Sequence, residues 1–454
     1  MTDFEQIDRV DVLIVGAGAA GLTAAIAARE AGASVLIIEK AAACGGNTAL
    51  SSGSLPGAGT RFQRQRGIHD SAARFVADLA RVEMDAPTRA RAATLAELSA
   101  KLIEWMVDVA DVRLQLIEDY RHVGHSVPRL HAPASRRGSD LLSDLERAAR
   151  QRDIPVAFRT KLLHLETDAD KVTGARVVSS DNARYSIPAG ATILATNGFG
   201  ASRELLKQHI TDATRFVSFG APTSTGDGIV AAQAIGAGVE NMGAFQGHGS
   251  ISAKLQSLVT WTVIEHGGVM VDSNGDRFGD ESIGYSAFAE VAAAHPGPHY
   301  VVFSDDIADR VSHYQSDFAE LMRLGAATTA QTQDELAGML RLPADRLVQS
   351  ITWSSTAKCH AIEVLPALFH TQGGLSIDVE ARVLRTDQTV LPGLYAAGGA
   401  AAGISGTSGA AGYTSGNGLL SACGLGFLAG RAAARSLMTV SGTGPDADII
   451  THTY

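Results

Sequence analysis

Asp11 to Val15 is a short apolar run that ends on Gly16-Ala17-Gly18-Ala19-Ala20-Gly21, and these residues open a small, apolar stretch reaching Gly32. A second apolar run, Ser34 to Ile38, ends on Glu39. That order predicts strand, glycine turn, helix and parallel strand, a βαβ unit. Gly16 permits the tight turn, Gly18 lets backbone approach a pyrophosphate, and Gly21 lets the helix close on the strand. The helix start, with the small residues Ala19 and Ala20, offers N–H groups to phosphate. Glu39 stands about twenty residues beyond Gly18, where a carboxylate accepts ribose hydroxyls, and Lys40 follows it. A chain opening this way is constrained to an α/β fold that binds a dinucleotide.

Composition narrows what surrounds that unit. At 454 residues the chain holds two or three domains' worth of core, and 45% hydrophobic with 19% charged residues is ordinary globular composition. A net charge of −10 offers no basic face to nucleic acid or anionic lipid. Cys44, Cys359 and Cys423 are widely spaced and form no CxxC or CxxCH, which excludes a c-type haem attachment and argues against structural zinc, so no metal is expected. Cys44, with no partner nearby, reads as a small packed residue rather than a redox group. Met1 to Arg9 is polar and acidic, unlike a signal peptide, and no apolar run approaches the ~20 residues of a membrane span. The expectation is a cytoplasmic protein.

Further along, Asp70 to Val112 and Ser139 to Arg152 carry helical spacing, the second with Ser139 as N-cap. Val156 to Leu165 and Val172 to Ser179 alternate as strands around an Asp168-Ala169-Asp170 turn. Ala191 to Ala195 reads as a buried strand rejoining the first sheet and leading into Thr196-Asn197-Gly198. From about Gly236 to Thr356 glycine turns thin out, and large aromatics and amphipathic segments such as Thr332 to Leu342 take over. Glycine-rich segments return at Gly373-Gly374 and Gly398-Gly399. The expected architecture is a Rossmann-type α/β domain over 1–235 and 357–454, interrupted by an α+β cap over 236–356. Arg129 and His131, flanked by Pro128 and Pro133, read as ligands of the cofactor's phosphates or, in preference, as a solvated turn.

The glycine fingerprint, Cys44-Gly45-Gly46-Asn47-Thr48, His370-Thr371-Gln372-Gly373-Gly374 and Leu394-Tyr395-Ala396-Ala397-Gly398 together resemble the flavoprotein family of soluble fumarate reductases and 3-ketosteroid dehydrogenases, over nearly the whole chain. The resemblance implies FAD as cofactor, extended across the nucleotide domain with the cap placing substrate over the flavin. It adds Gly45, Gly46, Asn47, Thr48, Ser52, Gly53, Ala195, Thr196, Asn197, Gly198, Asp227, Gly398, Gly399, Asn417, Gly418 and Leu419 to the expected cofactor site. Relatives with a covalent flavin carry a histidine in the segment matching Asn47 to Ser52. Here that segment is Asn-Thr-Ala-Leu-Ser-Ser, which implies non-covalent FAD. Gly399 stands where relatives commonly carry an acid.

Fumarate reductases of this family hold a diacid with two histidines and two arginines, and another arginine donates a proton. His248 matches the first histidine and Arg277 the proton donor, whereas Phe369 and Tyr413 stand where a second histidine and a carboxylate-binding arginine belong. An unpaired carboxylate removed from water costs several kcal/mol. Phe369 and Tyr413 instead offer an apolar wall and one O–H, suited to a ring ketone. Arg277-Phe278-Gly279-Asp280-Glu281-Ser282-Ile283-Gly284-Tyr285 matches the ketosteroid dehydrogenase stretch that ends in the catalytic tyrosine. These residues imply α,β-desaturation of a cyclic ketone or keto acid of about cyclohexanone size. Tyr285, aided by Arg277, takes the α proton, Tyr413 polarises the carbonyl, and His248 binds a second oxygen, with Phe369, His370, His360 and Gly416 completing the substrate site. The alternatives are a flavin-dependent C=C reductase, a steroid dehydrogenase, or a flavin-binding sensor without turnover. With no haem motif, iron–sulfur cysteines or NAD site in view, electrons are expected to pass to an external carrier or oxygen.

Overall fold

The structure, a computed structural model, describes residues 9–118 and 122–438. Met1 to Asp8, on which most of the N-terminal reading rests, lies outside the described residues. Strand β1 (Val10–Val15) runs into helix α1 (Ala19–Glu30) and returns as β2 (Val35–Ile38). Val12, Leu13 and Ile14 of β1 and all of β2 are buried, which is why neither strand alternates. Parallel strands are covered on both faces and need apolar residues at every position. Val156–Ala157 (β3) pairs parallel with β2, so the expected long strand from Val156 is two elements. Lys161–Asp168 (β4) and Lys171–Val178 (β5) form the expected hairpin and attach antiparallel to Arg184–Leu194 (β6), which rejoins β1 in parallel.

The second sheet contains β7 (Gly243–Ser252), β8 (Val269–Val271), β9 (His299–Ser304) and β10 (Cys359–Thr371), in the order β8–β9–β10–β7. Between these strands lie α2 (Thr262–Glu265) and α3 (Tyr285–Ala294). The long β10 extends beyond residue 356, so a strand on the C-terminal side of the expected border closes the cap's sheet. Trp261, Phe278, Phe288, Phe303 and Phe318 fill a separate core beneath that sheet.

The chain then returns to the first sheet through β11 (Arg382–Leu384) and β12 (Val390–Ala396), giving the order β11–β12–β6–β1–β2–β3. The last described element is α4 (Asn417–Met438), packed along α1. Small residues set that spacing. A Cβ at Gly426 would lie 2.4 Å from the Ala20 carbonyl, and one at Gly430 2.2 Å from that of Ala24. Among the described residues no helix is long and apolar enough to cross a membrane.

Two local expectations fail. The helix expected from Ser139 starts one residue earlier, at Gly138, with Arg137 as N-cap and no side-chain cap, and Gly138 fits there because a Cβ would lie 1.9 Å from the Thr48 carbonyl. Arg129 and His131 are buried, not solvated. Arg129 pairs with Asp70 (2.9 Å) and Asp78 (2.5 Å), and the His131 ring is bonded to Thr60 (3.0 Å). The partners lie 51 to 71 residues away, beyond the reach of local turn signals.

Candidate active site

One continuous cavity of about 730 Å³ runs from the C-terminal ends of β1 and β2 to the inner face of the cap. Its volume is in the upper part of the small-molecule range of about 300–1,000 Å³. At the first end it is lined by Gly16, Gly18, Ala19, Ala20, Glu39 and Lys40, and along its length by Gly45, Gly46, Asn47, Thr48, Ser52, Ala195, Thr196, Asn197, Asp227, Gly398, Gly399, Gly418 and Leu419. Gly16, at φ +112°, turns the chain, and a Cβ there would strike the Ala195 carbonyl at 2.4 Å. The Thr48 hydroxyl accepts the Ala19 N–H at 3.1 Å, and Glu39 accepts the N–H groups of Ala17 (2.8 Å) and Ala41 (2.7 Å). Lys40 is held by Asp227 at 2.7 Å.

At the cap end, β7 and β10 carry His248 and Phe369 with stacked rings (5.3 Å, 13°). The first residue of α3, Tyr285, stacks on the other side of His248 (5.0 Å), and Trp261 meets His248 edge-on (6.0 Å). The Tyr285 hydroxyl is 3.1 Å from the Ser415 hydroxyl, and its ring is edge-on to Tyr413 at 6.3 Å. The Tyr413 hydroxyl oxygen accepts the N–H of Gly418, in the first turn of α4, at 3.4 Å. That bond leaves the Tyr413 O–H as a donor near the positive end of the helix dipole. His248 Nδ1 accepts the Ser250 N–H at 3.2 Å, which leaves the proton on Nε2. Burial pushes the His248 pKa down to about 3, so this ring is a neutral donor. Burial likewise holds His370 neutral, at about 4, and raises Tyr413 to about 12. Tyr285 is pushed above the ordinary phenol value, first by burial and then by Tyr413.

The FAD binding domain family matches residues 11–417. The chain belongs to that family. It is 30% identical over 421 residues to an NADH:fumarate oxidoreductase of Klebsiella pneumoniae, covering 87% of this chain and 45% of that protein, so the chain spans less than half of that relative's length. A flavocytochrome c3 fumarate reductase in its open conformation superposes with TM-score 0.80 at 26% identity, over 95% of this chain and 79% of the other. A 3-ketosteroid-Δ4-(5α)-dehydrogenase from Rhodococcus jostii RHA1 shares the fold, with TM-score 0.74 at 22% identity over 94% and 98%. A fumarate reductase (cytochrome) of Shewanella frigidimarina is 29% identical over 94% of this chain and 77% of that protein.

The flavoprotein's own residues fit FAD. A Cβ at Gly45 or Gly46 would meet nothing within 4 Å, so this loop lies bare to the cavity. Asn47 Nδ2 and Ser421 Oγ, on residues lining it, are buried without a partner among the described residues, as is Asn417 Oδ1 behind it. Four expected cofactor residues stand back from the cavity surface. Gly21 serves packing, since a Cβ there would sit 1.9 Å from the Gly16 carbonyl, and Gly198 packs as closely on Thr371 (2.0 Å). Gly53, at φ +69°, abuts Arg137, and Asn417 donates to Ser405 at 3.3 Å.

Two substrate-end expectations are corrected. Arg277 does not line the cavity. Its guanidinium pairs with the buried carboxylate of Glu281 at 2.6 Å and is 43% exposed, so it neither meets substrate nor favours a Tyr285 phenolate. His360 is also outside, held in the cap by Thr329 (2.9 Å) and Asp305 (2.9 Å). His370 and Gly416 do line the cavity. Sequence reasoning missed Trp261 and Glu265, which also line it. The available signal was their i, i+4 spacing, which puts both on one helix face.

Proposed function

We propose that this flavoprotein desaturates the α,β bond of a cyclic ketone of about cyclohexanone size, with non-covalent FAD and an external electron carrier or oxygen, in the cytoplasm. The observation that carries this reading is the Tyr413 hydroxyl, whose oxygen accepts the Gly418 N–H and whose own O–H is left to donate beside Tyr285, in a pocket end where His248, Trp261, Phe369 and His370 supply no guanidinium. A carbonyl oxygen accepting the Tyr413 O–H becomes more negative as an enolate forms, and a donor placed for that charge, itself polarised by the Gly418 N–H, acidifies the α carbon. Tyr285 takes the α proton, and because burial disfavours its phenolate it does so as its own proton moves on. Bound FAD supplies the acceptor for the β hydride. Neutral His248 offers Nε2–H to a second oxygen of the substrate, and the aromatic walls exclude water.

A second reading, reduction of an activated C=C bond, is favoured by the protonated state of Tyr285, which suits a proton donor, and by the names of the relatives, among them a urocanate reductase of Eggerthella lenta at 28% identity. Both readings place the proton on Tyr285. The test is anaerobic rapid mixing of the oxidised holoenzyme with cyclohexanone. Tyr285→Phe keeps FAD and the ketone-induced spectral shift while flavin reduction slows about a hundredfold or more. Tyr413→Phe weakens both affinity and rate, since a carbonyl donor acts in the ground state and more strongly in the transition state. Wild-type reduction by Tyr285→Phe removes the proton role and this reading with it.

A further inference from the structure

The proton chemistry at Tyr285 needs an outlet. Each α proton taken must leave before the next turnover, and burial denies Tyr285 a stable phenolate. The Ser415 hydroxyl, 3.1 Å away, can pass a proton but not store one. His248 and His370, at about 3 and about 4, stay neutral near pH 7, and Tyr413, at about 12, keeps its proton.

Glu265 is different. Its N–H donates to the Trp261 carbonyl at 3.1 Å, one turn back, so its side chain leaves α2 on the face that carries Trp261. Trp261 abuts His248, and His248 stacks on Tyr285. Glu265 lines the same cavity, is an exposed residue, and makes no side-chain hydrogen bond or ion pair among the described residues. Protein on its other sides desolvates it and pushes its pKa up to about 8, a value matched to exchange near neutral pH. Its charge also acts on Tyr285.

We infer that Glu265 is the proton-relay residue of this site, taking the proton that Tyr285 displaces and exchanging it with solvent. The inference rests on the ketone reading above. In the step itself the α C–H bond breaks and its electron pair passes onto the carbonyl oxygen as an enolate held by the Tyr413 O–H. The proton bonds to the Tyr285 oxygen as the phenolic proton leaves for the Glu265 carboxylate. Reversal in D2O returns a deuteron to carbon.

The test follows deuterium entry into cyclohexanone in D2O, with the holoenzyme's flavin fully reduced by dithionite so that no hydride can leave. Ketone affinity is read separately from the spectral shift of the oxidised enzyme. Glu265→Gln is expected to slow exchange about a hundredfold while affinity and FAD content stay unchanged, and Glu265→Asp to recover part of the rate. Exchange at the wild-type rate in Glu265→Gln overturns the relay. So does weakened affinity with unchanged exchange at saturation, which would make Glu265 a substrate-binding group. If Glu265→Gln exchanges normally while Tyr285→Phe is silent, only the relay falls. If wild type catalyses no exchange, or Tyr285→Phe exchanges normally, the ketone reading falls and the relay with it.

Discussion

Arg277 and Tyr285 are eight positions apart, and their fates differ because side-chain direction, not motif membership, decides what reaches the cavity. The stretch that contains both is legible in sequence, and Tyr285 lines the cavity. Arg277 was drawn toward the same role, yet the buried Glu281 carboxylate, which also accepts the Met270 N–H, holds its guanidinium outside. Arg277→Gln is therefore expected to leave flavin reduction within about twofold of wild type. It lowers the melting temperature by a few degrees, because Glu281 loses its charged partner. Loss of flavin reduction with normal FAD content would return Arg277 to the chemistry. Glu265 escaped notice for the opposite reason. Nothing in a single acid near His266 marks it, and only the short helix after Trp261 turns it toward the cavity.

Secondary elements were legible where local pattern and tertiary environment agree. The βαβ unit, the β4–β5 hairpin and the return of β6 to the first sheet all follow from apolar runs and turn residues, and each is present. The buried Asp70–Arg129–Asp78 cluster could not be read this way. Charge next to prolines looks solvated until the partners supplied by distant segments are known. Packing at the first helix gives a direct check. Gly21→Ala places a methyl group 1.9 Å from the Gly16 carbonyl, so α1 must move away from the turn that it fixes. The expected result is loss of FAD on gel filtration and a melting temperature lowered by several degrees, both read against wild type. Full FAD retention would mean that the glycine turn tolerates a displaced helix.

Across the whole molecule, buried neutral histidines tie stability to pH. Burial lowers His125, His131 and His370 to about 4 and His248 to about 3, from 6.5 in the unfolded chain. Between about pH 6.5 and 4 the unfolded state binds more protons than the folded one, so stability falls as pH drops through that window. A melting temperature that declines steadily from pH 7 to pH 4.5 is expected, and one that is flat across it would show that these rings are not held neutral. The same neutrality governs substrate choice. His248 and His370 are uncharged, Arg277 is outside, and Arg137, which lines the cavity, is paired with Asp317, whereas the Tyr413 O–H is placed for a ketone oxygen. The most direct measurement is anaerobic mixing of oxidised holoenzyme with cyclohexanone, with 4-oxocyclohexanecarboxylate and with succinate, monitored by flavin absorbance. The account predicts bleaching by at least one ketone and none by succinate. Bleaching by succinate with no response to either ketone would contradict it.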